Sequence, residues 1–144
     1  MYIDSHCHLS SPELYPRVPE LRREMAAAQV DRAVCICTTL EEFPRVHGLA
    51  LEHSNFWCTV GVHPDSEGVR EPTIDDLLAR ASMLRVVAIG ETGLDYYRLN
   101  GRCDADMAWL RERFRVHIRA ARDSGLPLVV HTRSASRWPG RWPG

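Results

Sequence analysis

The chain has 144 residues, 44% of them hydrophobic, which is enough for one globular domain with a core of its own. With 18 basic and 19 acidic residues its formal charge is −1, which excludes a global basic field for non-specific nucleic-acid binding, so any phosphate recognition must be local. Every basic residue is an arginine, whose planar fork suits phosphate oxygens.

In chain order, residues 2–5 read as a short strand leading into His6-Cys7-His8. Side chains alternate along a strand, so the two imidazoles point the same way and can reach one point in space, with Cys7 facing the other way as packing. Residues 18–30 carry Val18, Leu21, Met25 and Ala28 at helical spacing. Residues 32–37 form an apolar run expected to be a strand buried on both faces. Residues 40–52 are helical, with Thr39 as a cap and Pro44 in the first turns.

A third strand spans 55–62 and is followed by His63. Residues 73–82 open with Thr73 and Asp76 at capping-box spacing. Residues 85–90 form a fourth strand, followed by Glu91. A long helix over 104–124 shows Met107, Leu110, Phe114, Ile118 and Ala121 on one face and stops at Gly125. The fifth strand, 126–131, ends on His131.

This strict alternation of about five strands and four helices implies βαβ units and a parallel sheet. In such folds the carboxyl ends of the strands share the edge that holds the active site. His6, His8, His63, Glu91 and His131 all fall there, a pattern that core packing does not explain. Imidazole and carboxylate together suit zinc, manganese or magnesium. A glutamate can bridge two ions, so Glu91 is the natural bridge, with His6 and His8 ligating one ion and His131 the other. Among the other polar residues, Asp4 and Asp95 either orient histidines or serve as turn and cap residues. Arg133 either holds phosphate or is simply exposed. Asp65 and Glu67 read as solvated loop residues, and His47, His53 and His117 as packed or solvated helical ones.

Four blocks in series carry a resemblance: His6-Cys7-His8, Gly61-Val62-His63-Pro64, Gly90-Glu91-Thr92-Gly93-Leu94-Asp95-Tyr96, and Pro127-Leu128-Val129-Val130-His131-Thr132-Arg133. In this order they resemble the TatD family of metal-dependent deoxyribonucleases over residues 1–136. The resemblance implies a (β/α)8 TIM-type barrel, of which this chain would be the N-terminal part, truncated. It further implies two divalent ions held by His6, His8, Glu91 and His131, His63 near the scissile phosphate, and hydrolysis of DNA from a 3′ end. An intact member is expected to be a monomer.

A complete barrel has eight strands and about 250 residues, and the family's further histidine and late aspartate are missing here, so weak or no activity is expected of this chain. The ending, Arg137-Trp138-Pro139-Gly140 repeated as Arg141-Trp142-Pro143-Gly144, reads as an irregular tail, out of frame or truncated. Two alternatives stand beside the nuclease: a non-catalytic remnant that self-associates through open sheet edges, and an amidohydrolase acting on C–N bonds, against which Glu91 argues because a carboxylated lysine commonly takes that place. Five cysteines without a C-x-x-C pair, no apolar run near the roughly 18 residues of a membrane span, and a start directly in a strand fit a cytoplasmic protein with no membrane association.

Overall fold

The computed structural model describes residues 1–135. The tandem repeat, and the domain boundary expected at residue 136, lie outside the described residues. Strands and helices alternate as β1 (Tyr2–Cys7), α1 (Val18–Ala27), β2 (Val30–Cys35), α2 (Phe43–Glu52), β3 (Phe56–Val60), α3 (Ile74–Ala81), β4 (Val86–Asp95), α4 (Ala108–Ser124) and β5 (Leu128–Arg133). The five strands lie in sequence order and every neighbouring pair is parallel, giving a half-barrel with four helices.

Helix packing against the sheet makes the main core. Ala33, Cys35, Phe56, Cys58, Val60 and Ile89 from the strands meet Phe43, Val46, Leu49, Leu77 and Ala120 from the helices. A second cluster, Leu94, Tyr96, Met107, Leu110 and Phe114, fastens the start of α4 to the end of β4. Local signals hold α3 and α4 in register. Thr73 Oγ1 accepts from the Asp76 amide at 3.1 Å while Asp76 accepts from the Thr73 amide at 3.1 Å, and Gly125 ends α4 at a φ of 71°.

Several expected boundaries move. β2 ends at Cys35; Ala33 and Cys35 on one face are fully buried, while on the other Arg32 is exposed, Val34 half-buried and Ile36, just past the strand, fully buried, so the second face is covered only toward its carboxyl end. α2 begins at Phe43; Thr39 Oγ1 accepts from the Glu42 amide at 3.1 Å in the turn before it. α4 is preceded by a 3-10 turn over Asp104–Met107.

The largest change is in β4, which runs past Gly90 to Asp95. Gly93, Leu94 and Asp95 pair with His131, Thr132 and Arg133 of β5, so the glycines that read as a strand end are instead points of close strand approach. Gly93 has a φ of +139° and a Cβ there would collide with the His131 carbonyl oxygen.

Candidate metal centre

Glu91 stands at the centre of the cluster, within β4, its side chain only 7% exposed. Its amide donates to the Cys37 carbonyl at 3.1 Å, which ties β4 to the exit of β2. Its two oxygens face different partners. Oε2 lies 3.2 Å from His6 Nε2 and 3.8 Å from His8 Nε2. Oε1 lies 3.3 Å from His131 Nδ1 and 3.7 Å from His63 Nε2. The residues thus form two groups able to hold a cation, His6–His8–Glu91 and His63–Glu91–His131, which share the carboxylate. All five residues singled out in the sequence are brought together.

Neighbouring groups set the protonation of the second group. Burial pushes the Asp95 carboxyl up, but hydrogen bonds from Arg133, the Tyr97 amide and His131 outweigh it and hold Asp95 below the usual carboxylate range. An ionised Asp95 only accepts, so at 3.2 Å from its Oδ2 the His131 Nε2 carries the proton and Nδ1 keeps its lone pair. That lone pair then faces the Glu91 oxygen at 3.3 Å, two acceptors with nothing to share unless a cation or proton sits between them. The donor set therefore fits a divalent ion, with the carboxylate partner of His131 fixing its tautomer.

His63 is arranged differently. Its Nδ1 accepts from the Asp65 amide at 3.0 Å, which leaves the proton on Nε2, the nitrogen that faces the cluster. Burial pushes its pKa down despite the opposing pull of Glu91, so the ring is neutral near pH 7 and presents a donor.

The loop carrying His63 is fixed from α4, by Arg113, which the sequence did not single out, and by His117, which reads there only as packed or solvated. Arg113, buried in α4, donates to the carbonyls of His63 at 2.8 Å and Ser66 at 2.7 Å and pairs with Glu71. His117, one turn on, accepts from the Val62 amide at 2.9 Å and faces its own Arg113 carbonyl at 2.8 Å. Their spacing of four residues was the available signal, two polar side chains one position off an apolar stripe. The buried face of α4 includes both, together with Leu110, Phe114, Ala120 and Ala121, while Ile118 is only partly buried. Glu42 plays the same part on the other side, accepting from Ser10 Oγ at 2.5 Å and from Thr38 Oγ1 at 2.6 Å, so that the exits of β1 and β2 are joined.

The open alternatives resolve residue by residue. Asp95 orients His131, whereas Asp4 accepts from the His6 backbone amide at 3.0 Å and does not reach its ring. Arg133 is neither free nor simply exposed, because it pairs with Asp95 at 2.6 Å and lies over Tyr97. Asp65 and Glu67 are paired with Arg98 and Arg102, and so are not merely solvated. His47 stacks on Phe43 and bonds the Leu84 carbonyl.

Comparison with known proteins adds to this geometry. A model of the family described as TatD related DNase matches residues 3–138. The uncharacterized metal-dependent hydrolase YcfH of Escherichia coli strain K12 is 34% identical over 137 residues, covering 92% of this chain and 49% of YcfH. A protein of Citrobacter rodentium named 3'-5' ssDNA/RNA exonuclease TatD is 32% identical over 133 residues, again covering 92% of this chain and 49% of the relative. Among solved structures, the crystal structure of YJJV, a TatD homologue from Escherichia coli K12, matches with a TM-score of 0.80 at 26% identity, covering 93% of this chain and 51% of that one. The chain spans about half the length of the curated relatives it matches.

Proposed function

This chain belongs to the TatD related DNase family, and we propose that its described residues make up the metal-holding half of a hydrolase site that cleaves DNA phosphodiester bonds from a 3′ end. One observation carries the reading: the buried Glu91 carboxylate turns one oxygen toward His6 and His8 and the other toward His131. Two divalent ions, of magnesium, manganese or zinc type, would fit that division, with His6, His8 and Glu91 able to hold one and His131 and Glu91 the other. When bound, such ions polarise the phosphodiester and lower the pKa of water.

The chain's own residues supply the rest. Glu91 fixes the spacing of the two groups, Asp95 keeps His131 as a lone-pair donor, and His63 offers its Nε2 proton to a phosphate oxygen or to the leaving oxygen. His63 therefore acts on substrate in this reading even though it lies within reach of the second group. The C–N amidohydrolase alternative is disfavoured twice over, since Glu91 takes the bridging place and the chain contains no lysine at all. The name of the Citrobacter relative, a 3'-5' ssDNA/RNA exonuclease, also supports a nucleic-acid substrate over a C–N amide.

The reading is tested by manganese-dependent release of nucleotides from a single-stranded oligonucleotide, followed over hours at high protein concentration, beside Glu91→Ala. The expected result is slow release by the parent chain that disappears in the variant. Equal release by both, or none by either, would contradict it.

A further inference from the structure

The sulfur atoms behind the histidines are not used by the proposed chemistry. Cys7 of β1, Cys35 of β2 and Cys58 of β3 are register partners along one rung of the sheet, Cys7 with Cys35 and Cys35 with Cys58. Cys7 Sγ lies 4.0 Å from Cys35 Sγ, and also 3.4 Å from the Val34 carbonyl. Adjacent strands stand about 4.8 Å apart, which is within the Cα separation of about 4.4 to 6.8 Å that a disulfide spans. Rotation of two side chains therefore suffices to join them. Cys7 is half-buried and lines a hollow of about 270 Å3 between β1 and α1, beside Leu21, Met25 and Ala28, whereas Cys35 and Cys58 are fully buried.

We propose that Cys7 and Cys35 form an oxidisable dithiol, a modification site at which a hydroperoxide converts the pair to a disulfide. Cys7 is the sulfur a small oxidant reaches. Its thiolate attacks one peroxide oxygen, the O–O bond breaks, and the departing oxygen takes up one proton and leaves as water, or as the alcohol of an organic hydroperoxide, with Cys7 left as a sulfenic acid. Cys35 sulfur then attacks the Cys7 sulfur, the S–O bond breaks, and the hydroxyl leaves as a second water with the Cys35 proton. Two thiols lose two electrons in total and one peroxide gains them. Since Cys7 sits between His6 and His8, the new bond ties the histidine-bearing end of the edge strand to β2.

The competing thiols define the test. Cys103 is exposed and is removed as Cys103→Ser. Cleavage at arginine then places Cys7, Cys35 with Cys37, and Cys58 on three different fragments. After treatment of the folded chain with hydrogen peroxide, mass spectrometry is expected to show the Cys7 and Cys35 fragments joined with loss of two hydrogens, the join mapping to Cys35 on fragmentation and undone by dithiothreitol. With Cys35→Ser the join is expected to vanish and Cys7 to proceed to the sulfinic acid. Absence of any join in the parent chain, a join to Cys37 or Cys58, or persistence of the join in Cys35→Ser would overturn the proposal. Because the attachment point is read in the parent chain itself, the outcome does not depend on how well that variant folds.

Discussion

Asp95 does more for the site than its place at the end of β4 suggests. It accepts from His131 and from Arg133 at once, and so sets which imidazole nitrogen faces Glu91. Asp95→Asn presents an amide that can donate to Nε2, which moves the ring proton to Nδ1 and removes the lone pair from the second group. Zinc affinity measured by calorimetry is expected to fall about 10- to 100-fold in that variant; unchanged affinity would show that Asp95 only anchors Arg133. His117 makes a second prediction at the same scale. Burial pushes its pKa down to about 4, and protonation would cost it the bond from the Val62 amide. The unfolded imidazole titrates near 6.5, so between the two values the unfolded chain binds the extra proton and the folded chain does not. The stability His117 confers is full above about pH 6.5 and declines toward pH 4, by about 3 kcal/mol. Urea unfolding across that range should show the decline, and His117→Gln should flatten it.

At the scale of elements, what is local was legible. The strand and helix alternation, the Thr73–Asp76 capping box and the Gly125 stop depend on residues a few positions apart, and each appears where its residues put it. What failed depends on distant partners. β4 looked complete at Gly90 because glycine weakens a strand taken alone, but β5 continues the pairing through Asp95. In α4 the apolar face packs as read, with Ile118 partly buried against the second cluster, but Arg113 and His117 beside that face reach the exit of β3, whose amide and carbonyls they hold. Gly93 is where the two strands press closest. Gly93→Ala would place a Cβ against the His131 carbonyl on a left-handed backbone, and should cost on the order of 3 kcal/mol in urea unfolding while weakening metal binding. A change below about 0.5 kcal/mol, the usual effect of a surface substitution, would mean that β5 can shift without consequence.

Over the whole molecule, the site joins strands at both edges of the half-barrel. His6 comes from β1, His131 from β5, and Glu91 from β4 beside it. β1 carries Tyr2 and Ile3 with 66% and 61% exposure, so it is the less supported edge. No helix among the described residues is long and apolar enough to cross a membrane. That the five candidate residues lie together was legible because parallel strands deliver their carboxyl-end regions to one edge. Which Glu91 oxygen faces which histidine, and which nitrogen of His63 carries a proton, were not, because both are set by contacts between strands far apart in sequence.

The division of two ligand groups by Glu91 is open to calorimetric titration of zinc or manganese into the folded chain. The parent chain should bind two ions, His6→Ala should lose one, and Glu91→Gln should lose both. Binding by Glu91→Gln equal to that of the parent would contradict the shared carboxylate, and with it the two-ion reading of the site.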